Sequence, residues 1–216
     1  MMIEDNNIFY EFYEKSPLGF HASGIKLPNI NYYDLFLGKL SPYQDIKYKY
    51  YMGRANAVDV ISTGKAYIYL LSKRVISLMH ENDITGWKTY PVTLYGREQN
   101  IINGYSLLAI TGRCGNIDWS RSDIVKKQLA PDVPFVDVLR GMYFDPETWD
   151  GSDFFGIEGQ GYILVTQKVR NLFEKNKITN ATFTNLKDYE TLRSSIFPDD
   201  YPVNRELLSE LKAIKI

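Results

Sequence analysis

The sequence repeats a stretch of itself, and this limits what it can fold into more than any other feature. YIYLLSKRVISLMHENDITGWKTYPV, from Tyr67 to Val92, aligns without gaps on GYILVTQKVRNLFEKNKITNATFTNL, from Gly161 to Leu186. Val75 falls on Val169, Leu78 on Leu172, Asn82 on Asn176, Ile84 on Ile178 and Thr85 on Thr179, at a constant offset (169 − 75 = 94). Leu70/Leu164, Ser72/Thr166, Arg74/Lys168 and Met79/Phe173 agree in kind. Each copy reads as an apolar strand, an amphipathic helix and a second strand.

Each part of this unit has a physical cause. Ser72 and Thr166 stand where an N-cap belongs, with a side-chain oxygen to offer a free amide of the first turn. Val75, Leu78 and Met79, and Val169, Leu172 and Phe173, recur at i, i+3, i+4, which is one helical face. The spacing predicts that Val75, Leu78, Val169 and Leu172 are buried and that Lys73, Glu81, Lys175 and Lys177 are exposed. Asn82 and Asn176 follow the last periodic residue, where a left-handed residue closes many helices, and asparagine tolerates that conformation. Ile84-Thr85 and Ile178-Thr179 then open a strand with β-branched side chains. Two ordinary strand–helix–strand units using similar residues for the same reasons are the competing reading. Two copies are too few for a solenoid, which needs three or more to bury a continuous core.

Around the copies the pattern is less regular. Ile8–Tyr13 and Asp59–Ile61 read as short strands. Asn31–Leu40 has Tyr32, Leu35, Phe36 and Leu40 at helical spacing. Trp87–Tyr95 reads as a strand, the GREQN stretch at Gly96–Asn100 as a turn, and Ile101–Thr111 as a strand in which Asn103-Gly104 is either a hairpin turn or a bulge. The segment after Ser122 is expected to be a short helix that Pro131 and Pro134 stop. Val138–Phe144 reads as a strand, and Leu186–Ile196 and Asn204–Ile214 as helices. The expected class is α+β, a mixed sheet packed with helices and containing two similar strand–helix–strand units. No Gly/Ser linker divides the chain, so one domain over 1–216 is expected; two lobes, 1–95 and 96–216, each with one unit, remain the alternative.

Composition enters as a set of exclusions. A net charge of −1, with 44% apolar and 24% charged residues, gives no general argument for a nucleic-acid partner or an acidic membrane surface. No apolar run is long enough to cross a bilayer, and the acidic opening MMIEDNNIFY is not expected to be a secretory signal, so a cytoplasmic location is expected. The single cysteine, Cys114, excludes an intrachain disulfide and a cysteine-rich zinc site. Seventeen tyrosines are the one oddity; half-buried sheet surface is the plain reading and an interface the other.

Three stretches invite chemistry. Cys114 lies between Gly112 and Gly115 beside Arg113, where a thiolate is favoured electrostatically, but only His21 and His80 are available as a base and no local motif links them to it. Asp145–Asp153 gathers four carboxylates, yet an EF-hand count from Asp145 puts Trp149 and Asp150 at the fifth and sixth positions, where an oxygen ligand and glycine belong. Asp118-Trp119-Ser120-Arg121-Ser122-Asp123 is either a recognition segment or the start of the following helix, with Asp118 or Ser120 as its cap and Asp123 reaching back as in a capping box. Asp118, Trp119, Trp149 and Asp153 are the candidate binding residues; the alternative for both tryptophans is that they close the ends of the sheet. No catalytic residue, metal ligand or cofactor is expected.

Five segments within residues 58–186 carry a resemblance: DVISTGKAYIYLLSKRV, ITGWKTYPVTLY, GYSLLAITGRCGNIDWSRSD, YFDPETWDGSDFF and ILVTQKVRNLFEKNKITNATFTNL. They hold a Ser-x-Arg helix start (Ser72, Arg74), a Cys/Asp/Ser arrangement (Cys114, Asp118, Ser122) and an Asp-x-Phe ending (Asp153, Phe155). Together they resemble family forty-three of the bacterial polymorphic-toxin immunity proteins. The resemblance implies a cytoplasmic protein that neutralises a cognate toxin by direct binding, and it supplies no catalytic residue. The alternative is an enzyme using Cys114 or the Asp145–Asp153 acids.

Overall fold

The computed structural model describes residues 8–15, 21–24, 31–40, 46–52, 58–157 and 160–197. In chain order the elements begin with β1 (Phe9–Glu14), β2 (His21–Gly24), α1 (Tyr32–Phe36), β3 (Ile46–Met52) and β4 (Val60–Ser62). The first copy of the repeat gives β5 (Tyr69–Ser72), α2 (Lys73–Glu81) and β6 (Trp87–Tyr95), followed by β7 (Ile101–Ile102), β8 (Tyr105–Ile110) and β9 (Gly112–Cys114). Next come β10 (Asp123–Lys127), β11 (Val136–Arg140) and β12 (Phe154–Ile157). The second copy gives β13 (Ile163–Thr166), α3 (Gln167–Lys175) and β14 (Ala181–Asn185), and β15 (Glu190–Leu192) and α4 (Arg193–Ile196) close the described chain. The protein is α+β, with mixed sheets packed with helices, and no helix among the described residues is long and apolar enough to cross a membrane.

The two repeat helices match turn for turn. Ser72 accepts from the Val75 amide at 3.3 Å, whereas Thr166 stands at the equivalent cap without that bond. Val75, Met79, Val169, Leu172 and Phe173 are buried, and Lys73, Glu81, Lys175 and Lys177 are exposed. Leu78 departs from the expectation and is only half-buried, at the edge of a groove between the two helices. Closure of the helices also differs in detail from the sequence reading. Asn82 and Asn176 keep negative φ (−111° and −91°), and the left-handed residues are the next ones, Asp83 (+49°) and Lys177 (+51°). Each asparagine amide instead donates to the carbonyl four residues back, Leu78 or Leu172, at 2.8 Å. The amides of Ile84 and Ile178 reach back five residues, to Met79 and Phe173, at 3.0 Å in both copies. This is the Schellman closure, with the asparagine side chain adding a second donor to a carbonyl that already accepts from the asparagine's own backbone amide.

The likeness extends beyond the repeat. One sheet runs β6-β8-β5-β4-β2 and another β14-β1-β13-β12-β9, with the same sequence of antiparallel and parallel pairings from end to end. In the first sheet β8 follows β6 along the chain; in the second, the matching strand β1 comes from the other end of the chain. The first sheet also curls closed, because β3 pairs with β2 on one side and in parallel with β6 on the other. A third sheet, β10-β11-β15, stands apart from these two. One core cluster takes side chains from both copies, including Leu70, Val75, Val165 and Phe173, and a second gathers Phe9, Cys114, Met142, Phe144, Phe155 and Leu164.

Elsewhere tertiary pairing overrides local pattern. The segment after Ser122, expected as a helix, is strand β10: Ile124 and Val125 are β-branched, and the strand finds a partner in β11 over five residues. The strand expected to Phe144 ends at Arg140, because Gly141 takes φ +94°. Leu186–Ile196, expected as a helix, yields β15 and only one helical turn. Asn103-Gly104 is a bulge: β7 and β8 both pair with β6, and four steps from Ile102 to Ser106 oppose three from Leu94 to Pro91. The expected Asn204–Ile214 helix lies outside the described residues.

Candidate protein-interaction surface

Asp153 heads a hydrogen-bond network with a twin. Its carboxylate accepts from the Thr166 hydroxyl at 2.9 Å and the Lys168 ammonium at 3.2 Å, both at the start of α3. It also accepts from the Thr85 amide at 3.1 Å and hydroxyl at 3.3 Å, in the other copy. Asp59, 94 positions earlier (153 − 59 = 94), accepts from Ser72 at 2.8 Å, Arg74 at 2.8 Å, and the Thr179 amide and hydroxyl at 3.0 and 3.1 Å. Each aspartate therefore ties the start of its own helix to the threonine that stands two residues before the second strand of the opposite copy. The cations extend the exchange: Arg74 donates to the carbonyl of Asn176 and Lys168 to that of Asp83, at the C-terminal ends of the opposite helices. Asp153, a candidate binding residue, is thus buried in an internal strap rather than presented to a partner.

Cys114 is buried on the second core cluster, its thiol 3.7 Å from the Gly156 carbonyl. Burial pushes that thiol up to about 12, with the nearby Asp150 adding to the effect and Arg113 opposing it. A thiol held protonated at neutral pH is a poor nucleophile. His80 lies with its ring 4.7 Å from that of Trp87. The acids of the 145–153 loop serve their own turns: Asp145 accepts from the Glu147 amide at 3.0 Å, and Asp150 from the amides of Ser152 at 3.0 Å and Arg113 at 2.8 Å. Among the described residues no three His, Cys, Asp or Glu side chains are grouped to hold a metal ion.

Asp118 is exposed and caps a three-residue helical turn, accepting from the amide of Ser120 at 3.1 Å and its hydroxyl at 2.5 Å. Trp119, in that turn, is half-buried against Tyr189, with ring centroids 6.3 Å apart. Trp149 is half-buried on the second core cluster: its indole N–H donates to the Ser152 carbonyl at 3.0 Å, and its ring meets those of Phe9 at 5.0 Å and Phe155 at 5.6 Å. Both tryptophans therefore pack on the core and keep one edge toward solvent. The structure brings Asp118 and Trp119 together, and places neither Trp149 nor Asp153 in that turn.

The turn at Asp118–Arg121 leads straight into the hairpin β10–β11, and this arm carries what the sequence reading missed. Ile124 is 56% exposed, Leu129 55%, Val133 41% and Phe135 63%. Among the described residues β10 pairs only with β11, so its outer edge offers unpaired amides and carbonyls. The inner strand is secured: Val138 and Leu139 are buried, Arg140 pairs with Glu190 at 2.9 Å, and Lys127 pairs with the same carboxylate. Those two cations hold the Glu190 carboxyl below its ordinary value. An apolar fringe on a braced hairpin with an open edge suits contact with another protein. The signal available in sequence was Leu129, Val133 and Phe135 interleaved with Pro131 and Pro134, which bar a helix there; a helical reading of the segment before them hid it. No protein-family model matches the chain, and comparison with curated proteins finds no match.

Proposed function

We propose that the protein acts by binding another protein, and that it is an immunity-type partner occluding a cognate bacterial toxin in the cytoplasm. The observation that carries the binding half is the exposed apolar hairpin Asp123–Arg140, with Trp119 at its base. The toxin as partner rests on the resemblance of the segments within residues 58–186. Occlusion needs a stiff surface of roughly 1,200–2,000 Å² with a few aromatic or aliphatic anchors, and Phe135, Ile124 and Trp119 are the anchors this reading names.

The test is co-expression with the product of the neighbouring gene as the candidate toxin, reading growth rescue and co-purification. Wild type and Cys114→Ser are expected to protect and to bind. Phe135→Asp combined with Ile124→Asp is expected to lose both while keeping its unfolding midpoint, because both side chains are exposed. Full protection by that double variant would reject the arm as the binding surface. Loss of protection in Cys114→Ser with binding intact would favour chemistry at Cys114 instead.

A further inference from the structure

Strand β1 fills in the second sheet the place that β8 fills in the first, so the two can be compared position by position (105 − 9 = 96). Glu11, opposite Leu164 and Thr184, stands where Leu107 stands opposite Leu70 and Tyr90. Leu107 is fully buried and Glu11 is 8% exposed. The second sheet therefore gives an ionisable side chain a position that the first gives to leucine. Glu14, on the opposite face of β1, is met by the Asn180 amide at 3.0 Å. Glu11 has no hydrogen-bond or ion-pair partner among the described residues, and burial alone pushes its carboxyl up to about 7. An unpaired buried carboxyl is costly to folding, so its place here asks for a use.

Glu11 pairs with Leu164, so Tyr162, two residues before Leu164 at the head of β13, shares its face of the sheet. Tyr67, Tyr69 and Tyr189, from neighbouring elements, feel its charge. Tyr162 joins two of them, with ring centroids 5.6 Å from Tyr67 and 5.8 Å from Tyr189, and the Tyr189 hydroxyl donates to that of Tyr162 at 3.4 Å. The rings of Tyr67, Tyr162 and Tyr189 are half-buried, so the cluster reaches the surface. Tyr67 holds φ at +63°, a conformation unfavourable for a bulky residue, and its ring lies so close to Gly161 that an added Cβ there would come within 2.6 Å. Tyr67 and Gly161 are the first residues of the two repeat copies, so one copy supplies the ring and the other the space for it.

We propose that Glu11 and the rings of Tyr67, Tyr162 and Tyr189 form a binding site for an organic monocation, an alkylammonium or guanidinium group. The negative ring faces and the carboxylate both favour a cation and disfavour an anion, and a hydrophobic collar strengthens the attraction by excluding water. A divalent metal ion would need several oxygen ligands, and a single carboxylate does not supply them. The site is independent of the hairpin arm, and binding there does not depend on a toxin being the partner.

The experiment uses the full chain with ¹³C-carboxyl-labelled glutamate, titrated with n-butylammonium chloride and, as the uncharged control, n-butanol. Binding is expected to lower the Glu11 titration midpoint. The apparent affinity is expected to rise about tenfold per pH unit up to about 7 and then level off, following the ionised fraction. Glu11→Leu, which adopts the solution of the sister sheet, is expected to fold and to lose butylammonium binding. Tyr162→Leu keeps the carboxyl and is expected to weaken binding at least about threefold, as loss of one cation–π face would. Nα-acetyl-lysine and Nα-acetyl-arginine amides, titrated in parallel, separate a protein side chain from a free amine: tighter binding of either assigns the site to a partner's basic residue, and tighter butylammonium binding to a free amine. An unmoved Glu11 midpoint, equal binding of butanol, or undiminished binding by Glu11→Leu would overturn the proposal.

Discussion

Removing Asp153 tests whether the strap between the two repeat copies supports the fold. In Asp153→Ala, the Thr85 amide and hydroxyl, the Thr166 hydroxyl and the Lys168 ammonium all lose their acceptor. Hydrogen bonds to a charged group contribute about 1.5–3 kcal/mol each in favourable cases, and breaking a buried pair by deleting one partner costs about 3–5 kcal/mol. The full figure does not apply, because the Lys168 side chain is 51% exposed and water can replace part of what is lost. About 3 kcal/mol is the expected cost. With a urea slope of about 2–3 kcal/mol/M, the unfolding midpoint should fall by about 1–1.5 M at unchanged slope. Asp59→Ala removes the same kinds of bond from the other copy and should match within about 1 kcal/mol. Asp118→Ala, which strips only an exposed cap, should cost under about 1 kcal/mol. If Asp59→Ala and Asp153→Ala both stay within about 0.5 kcal/mol of wild type, the range of harmless surface changes, the straps carry no weight in stability.

Three further outcomes follow from burial. Glu11 keeps its proton more tightly folded than unfolded, so stability should be greatest below about 4.5, fall by about 3 kcal/mol as pH rises to about 7, and level off above; Glu11→Gln should flatten that slope in denaturant melts across this range. Leu172→Ala should cost about 2–5 kcal/mol, and Leu78→Ala less than about 2 kcal/mol because Leu78 is half-exposed; equal losses by chemical denaturation would contradict the asymmetry of the two helix faces. Cys114 should resist a thiol-specific disulfide reagent in the native protein at neutral pH and react promptly in urea, and prompt native labelling would show that the thiol is accessible.

The sequence by itself determined the local units. Helix start, apolar face and asparagine-closed end repeat at an offset of 94, and both helices form over the corresponding nine residues. These features act within one or two turns, so a sequence window contains their cause. Even there the window misassigned the left-handed residue, because an asparagine side chain can bond a carbonyl directly while its neighbour makes the turn. What the tertiary structure decided is everything that joins distant residues. Strand β10 looks helical alone and becomes a strand because β11 offers it hydrogen bonds. Asp153 looks like a surface acid in an acidic loop and proves to hold the opposite copy, since Thr85 lies 68 positions away. Glu11 lies in a segment that reads from sequence only as a short strand, yet β1 runs between β13 and β14 and carries it into the interior. Pairing across such distances depends on which strand edges meet after collapse, and no local periodicity encodes that.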